Sequence, residues 1–241
     1  MAEEVLQEKG SGGFVTDLAG AFNFLIDPTG AAKCLRRKWF WIAAILIVSA
    51  ITITITVFNM PLMQQAMANQ PPPPNVSPEQ FQKNMQIGML FQKVFVYLAP
   101  VVLAAFDALA ALILLATCAV IDVKAKFIEL FNFAAGLSLF DALKAVASTV
   151  IIHAKGEPSS MADLQPPLGF DIFMPATANK VLVAFLGYFN VFEVWEIVMA
   201  VLIVAAAYRI SKAKAAVVIA PLFILGLLAK LVGAFFTPKS T

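Results

Sequence analysis

Charge is what this sequence has least of. Only 13% of its 241 residues are Asp, Glu, Lys or Arg, whereas 61% are hydrophobic. A soluble domain carries about a quarter charged residues, so a chain this apolar must turn much of its surface to lipid. The net charge of +2 is small and dispersed, which excludes a nucleic-acid partner. The single histidine, His153, has no carboxylate or cysteine grouped around it and points to neither catalysis nor metal binding. Two cysteines, Cys34 and Cys118, give neither metal-ligand spacing nor a disulfide framework. They read as small apolar residues, and only the juxtamembrane position of Cys34 allows lipidation. A nucleotide-binding glycine loop, a serine elbow and a zinc-helix motif are also missing. Ser211-x-x-Lys214 has the spacing of a Ser/Lys acyl enzyme, but it falls in a tight basic turn where the serine caps a helix and the lysine sets orientation. No catalytic residue, metal or cofactor is therefore expected. The opening MAEEVLQEKG is polar and partly acidic, and the first long apolar run begins only near Trp39, so no cleaved secretory signal is expected either.

What the chain has in abundance is apolar runs of membrane-crossing length. They predict an all-α, polytopic membrane bundle of about five transmembrane helices, at 39–58, 97–121, 127–153, 191–210 and 215–236. The alternating ITITIT at 51–56 belongs to the first of these as helix, because a lone strand in lipid leaves its backbone groups unsatisfied. Residues 1–13 read as a flexible start and 237–241 as a short tail. Between them, Phe14, Val15, Leu18, Phe22 and Leu25 recur at helical spacing and predict an amphipathic helix lying in the interface. Asp27-Pro28 then reads as an N-cap with proline at the first helical position, opening a short basic helix, so that 14–38 forms an interfacial segment. Trp39, Phe40 and Trp41 form an aromatic belt. Residues 59–80 are expected to leave the membrane as a loop containing the tetraproline 71–74 and an Asn75-Val76-Ser77 glycosylation triplet. Ser77-Pro78-Glu79 starts the next helix, which Pro100 is expected to kink.

Cations cluster on one side of these spans. Arg36, Arg37, Lys38, Arg209, Lys212 and Lys214, with Lys124 and Lys126, predict a cytoplasmic N-terminus and an external C-terminus.

From Ala21 to Phe236 the chain resembles the Yip (Ypt-interacting protein) domain family of five-span membrane proteins. The resemblance rests on FNFLIDPTGAAKCL, with Asp27 and Pro28, and on NVFEVWEIVMAVLIVAAAYRISKAKAAVV, with Phe192 and Trp195 as its sharpest positions. It implies a membrane-organising or trafficking role, with the bilayer, protein partners or further copies of the chain as contacts. The long N-terminal extension of the eukaryotic branch is missing, which favours a bacterial type in the inner membrane; a eukaryotic member would sit in the Golgi or endoplasmic reticulum.

Six charged residues fall inside spans: Asp107, Asp141, Lys144, Glu193, Glu196 and Lys230. Each costs about 2.5–3.5 kcal/mol on insertion scales and requires a reason. Asn190-x-x-Glu193 matches a capping box, and Ser138-x-x-Asp141 matches a variant of it. The two align as SLFDALK and NVFEVWE, the pattern either of two broken spans around a site or of two ordinary helix starts. Lys144, one turn beyond Asp141, is placed to neutralise it, while Lys230 either snorkels outward or meets Glu196. Asp107, among the alanines of the second span, is either a buried interhelical hydrogen-bonding group or a polar site with Glu196 and Lys230 as companions. Two functions follow: a non-catalytic organiser of membrane or partner proteins, and a small-solute or lipid transporter built on the intramembrane charges.

Overall fold

The structure is a computed structural model that describes residues 14–69, 76–158, 161–175 and 178–236. The expected flexible start 1–13, the tetraproline, Asn75 and the tail 237–241 lie outside the described residues. The chain is an all-α polytopic membrane bundle. Its helices are α1 (Phe14–Ile26), α2 (Pro28–Cys34), α3 (Phe40–Ala68), α4 (Pro78–Val120), α5 (Phe127–Lys155), α6 (Lys180–Tyr188), α7 (Val191–Tyr208) and α8 (Lys212–Phe236). Five of them, α3, the Val94–Val120 part of α4, α5, α7 and α8, are long and apolar enough to cross a membrane. Among the described residues no strand forms, only a single antiparallel bridge between Gly169 and Asn190.

One span boundary differs markedly from the sequence reading. α3 does not end at residue 58 but runs through Pro61 to Ala68, because Met, Leu, Gln and Ala all favour helix and Ala66 is fully buried. Its far end is anchored: Asn59 Nδ2 donates to Thr149 Oγ1 at 3.1 Å, and Asn69 Nδ2 donates to the Pro158 carbonyl at 3.2 Å. α4 starts where expected, with Ser77 Oγ accepting from Gln80 N, and continues as helix through Pro100 for 43 residues. At 1.5 Å per residue that is about 64 Å, twice the hydrocarbon thickness.

The N-terminal pair caps one end of the bundle. Asp27 accepts from Thr29 N as the expected N-cap of α2. Val15, Ala19, Phe22 and Ile26 form an exposed apolar stripe along α1; of the residues expected at the interface Val15 and Phe22 lie on it, whereas Leu18 and Leu25 are half-buried. The opposite stripe, which spacing did not single out, docks on protein: Asp17, Gly20, Ala21 and Phe24 are buried. Phe24 stacks on Phe40, with centroids 5.2 Å apart, and lies against Gly136 of α5 so closely that a Cβ there would overlap its ring. The aromatic belt is accordingly corrected. Only Trp39 is exposed, Phe40 enters the core, and Trp41 packs on Phe131.

Three ties hold the cap down. Arg37 bonds to Asp17 Oδ1 at 2.8 Å and to the Thr16 carbonyl at 3.0 Å. Arg36 donates to the Ala207 carbonyl at the end of α7. Fully buried Asn132 donates from Nδ2 to the Leu35 and Arg37 carbonyls at 2.9 and 2.6 Å, while its Oδ1 accepts from Trp41 N at 3.0 Å. Cys34 is sealed beneath α1, its thiol directed at the Gly20 carbonyl, so it presents no accessible sulfur for lipidation.

The tight turns close the same end. Asp122 and Arg209 adopt positive φ, Ser211 Oγ accepts from Lys214 N at the start of α8, and Lys214 Nζ reaches the Asp122 carbonyl at 3.5 Å. Ser211 thus caps a helix, as its position in a basic turn suggested.

Candidate functional site

The opposite half of the bundle holds a break in the chain's helical path. The nine-residue α6 begins on an Asn179 cap and ends at Tyr188. Phe189 leaves helical geometry, Asn190 is extended, and α7 starts at Val191. Asn190 Oδ1 accepts from Phe192 N and Glu193 N, both at 3.0 Å, as its sequence position predicts. The box is only half made. Glu193 does not bond back to Asn190, whose N–H goes to the Tyr188 carbonyl. The loop before α6 packs onto this break through Gly169, where a Cβ would meet the carbonyls of Leu186 and Phe189 at 2.9 Å. Only glycine permits that approach.

In the third span neither a break nor a helix start occurs at Ser138. α5 runs as one helix from Phe127 to Lys155, with Gly136 and Ser138 inside it. Ser138 Oγ bonds to the Ala134 carbonyl one turn back at 3.3 Å, and also to Asp107. A serine satisfied in this way has no reason to cap, and Gly136 is needed for the close seat of Phe24. The local likeness of SLFDALK to NVFEVWE therefore does not mark a structural repeat.

Beside the break lies a cavity of about 370 Å³. Five of the six intramembrane charges meet there: Asp141 and Lys144 from α5, Glu193 and Glu196 from α7, and Lys230 from α8. The i, i+3 spacing within each of the first two pairs puts both members on one helix face. On α8, Leu222, Gly226 and Lys230 recur every four residues and line the third wall. Asp141 is the central residue of the 29-residue α5, so the cavity opens halfway along this apolar helix. Asp141, Gly226 and Lys230 are exposed at its rim, and Glu193 is 9% exposed at its back.

Lys144 pairs with Glu193 at 3.5 Å, across the helices, and not chiefly with its own-helix neighbour Asp141. Asp141 and Glu196 have no ion pair and accept no hydrogen bond among the described residues. Lys230 lies over the Tyr188 ring at 5.9 Å from its centroid, and it faces the same space as Glu196 without bonding to it. Tyr188, which sequence reasoning missed, donates to the Phe223 carbonyl at 2.9 Å and fixes the end of α6 against α8. Gly226 makes room for it, since a Cβ there would sit 3.2 Å from the Tyr188 hydroxyl.

Asp107 stands apart. It is buried at 6% exposure, accepts from Ser138 Oγ at 2.9 Å through Oδ1, and keeps Oδ2 without a partner among the described residues. Its carboxylate thus bridges α4 and α5, and Glu196 and Lys230 line the cavity without it. Phe192 and Trp195 flank the carboxylates on α7, with Trp195 packed edge-on to Phe140 at 5.5 Å. His153 bonds to Asn59 Oδ1 at 3.0 Å beside the Phe58 ring, far along α5 from the cavity. No protein-family model, curated protein or solved structure matches this chain.

Proposed function

We propose that this chain is a non-catalytic membrane protein that takes a polar group, from a lipid or a small solute, into the cleft between α5, α7 and α8. One observation carries the reading: five ionisable side chains from three spans converge on a cavity beside a broken helix. Ionisable groups at this depth are costly, and structural ones are normally consumed by pairing. Here only Lys144 and Glu193 pair with one another, so Asp141, Glu196 and Lys230 remain available to a guest. The cavity volume falls within the range of ligand pockets, about 300–1,000 Å³. The excess of cations at the capped end supports placing Arg36, Arg37, Lys38, Arg209, Lys212 and Lys214 on the cytoplasmic side of the membrane.

The test is thermal stability and flux of the reconstituted protein against a panel of polar lipids and solutes. At least one compound should stabilise wild type or move across the membrane, with Glu196→Gln and Lys230→Ala abolishing the effect and Asp107→Asn retaining it. A broad panel without any effect on wild type would sink the reading.

The organising role implied by the Yip resemblance is the second reading, favoured by the docked α1–α2 cap and its outward stripe of Val15, Phe22 and Ile26. In that case a defined partner or a second copy should be lost when these three residues become serine, while the cleft variants bind it normally. Retention by the triple-serine protein would count against this role.

A further inference from the structure

Resting on the cleft-binding reading, the geometry points to a ligand class: we infer that the cleft takes a zwitterion with a primary ammonium next to a phosphate. The charges are divided in space. Asp141 and Glu196, on α5 and α7, offer carboxylate oxygens that accept nothing among the described residues. Lys230, on α8, offers an ammonium with no ion pair among the described residues. Lys144 and Glu193 neutralise each other at 3.5 Å and separate from this count as an internal pair. What remains is one acceptor on each of two walls, α5 and α7, and one cation on the third, α8. A simple anion would meet Lys230 but also two like charges, and a simple cation seated beside the carboxylates would leave Lys230 with no counter-ion of its own. A zwitterion answers both.

A primary ammonium fits better than a trimethylated one because its N–H groups supply the hydrogen bonds that both carboxylates lack. Access favours a headgroup. On α8 the exposed apolar residues Leu225 and Ala229 flank Gly226 and Lys230, so the rim of the cleft is continuous with a face suited to acyl chains.

The experiment is thermal stabilisation of the purified full-length protein in detergent by added phosphatidylethanolamine, phosphatidylcholine, phosphatidylglycerol or water-soluble glycerophosphoethanolamine. Phosphatidylethanolamine should stabilise at lower concentration than the other two lipids. Glu196→Gln or Lys230→Gln should raise its half-saturating concentration by about tenfold, the effect of one charge-assisted contact, with Asp107→Asn unchanged. Equal stabilisation by glycerophosphoethanolamine, with the same variant pattern, supports the zwitterion and makes the source a solute; stabilisation by the lipid alone makes it a headgroup. If the three lipids act equally and Glu196→Gln weakens all of them, the cleft binds lipid but the zwitterion inference is overturned. If none of the four stabilises wild type, the zwitterion inference is overturned, and the cleft-binding reading falls with it only when the broad panel also has no effect. The lipid ranking needs wild type only, so a poorly folded variant does not shield the inference.

Discussion

The side-chain oxygen of Asn132, in the first part of the third span, accepts the backbone N–H of Trp41 at the start of the first. With its two donors on the Leu35 and Arg37 carbonyls, this one amide satisfies three main-chain groups where the chain enters the membrane. Asn132→Leu keeps the size of the side chain and strands all three. We expect a loss of about 1–3 kcal/mol in unfolding free energy, measured by denaturant titration in mixed micelles. Asn132→Asp should be no better, since a carboxylate donates to neither carbonyl. Wild-type stability in either variant would remove Asn132 from its role.

The seat of Phe24 on Gly136 makes a different prediction. Gly136→Ala overpacks the contact, at a cost of about 1–3 kcal/mol, and the strain is relieved most easily by lifting α1. Because Cys34 lies under Gly20 of α1, lifting it uncovers the thiol. Burial also pushes the Cys34 thiol above its ordinary range, so at neutral pH it holds less of the reactive thiolate than a free cysteine. In a Cys118→Ala background, wild-type Cys34 should label slowly with maleimide and faster as pH rises, while Gly136→Ala should label several-fold faster at every pH. Equal rates in the two proteins would show that α1 does not depend on this contact.

Asn190→Ala removes the acceptor shared by two amides at the start of α7, and with it the side-chain bond to the Tyr188 carbonyl. Loss of an N-cap costs about 0.5–2 kcal/mol, and here the break that presents Glu193 and Glu196 is also loosened. The variant should lose stability in that range and lose most ligand stabilisation with it. Asn190→Asp or Asn190→Ser, which keep an acceptor, should restore both.

Ser138→Ala leaves Asp107 Oδ1 as unpartnered as Oδ2 already is. Interhelical hydrogen bonds within membranes are worth about 0.6 kcal/mol on average and reach about 1.7. Destabilisation of that size, with ligand stabilisation intact, is expected in the thermal assay. A change in ligand affinity would instead connect Asp107 to the cleft.

The spans and the charges that meet in the cleft were legible in the sequence because both follow from composition along one helix. Lipid demands long apolar runs, and a charge within such a run stands out whatever it touches. The Asn190 cap was legible for the same reason, being a local bond over three residues. Legibility ended where partners come from elsewhere in the chain. Ser138 imitates a cap until its hydroxyl is seen on Asp107, 31 residues away, and the helix simply continues. Lys144 stands one turn from Asp141 yet pairs with Glu193. Asn132 and Tyr188 were overlooked because they are uncharged. The available signal was a lone amide in the apolar run FNFAAG, and a tyrosine two residues before a cap. α3 overran its expected end because nothing in MPLMQQAMA except Pro61 opposes helix.

The ties around Asn132 also fix an order of events. Leu35 and Asn132 are 97 residues apart in the chain, and Arg36 and Ala207 are 171 apart. The seat for Phe24 does not exist until the third span has entered the bilayer, and the carbonyl that Arg36 grips does not exist until the fourth is complete. α1 and α2 are therefore made before the spans they close over and docked only after the fourth of them. Until then their apolar faces have only the membrane surface to rest on, so the growing chain carries its own closing piece along the interface until there is something to close.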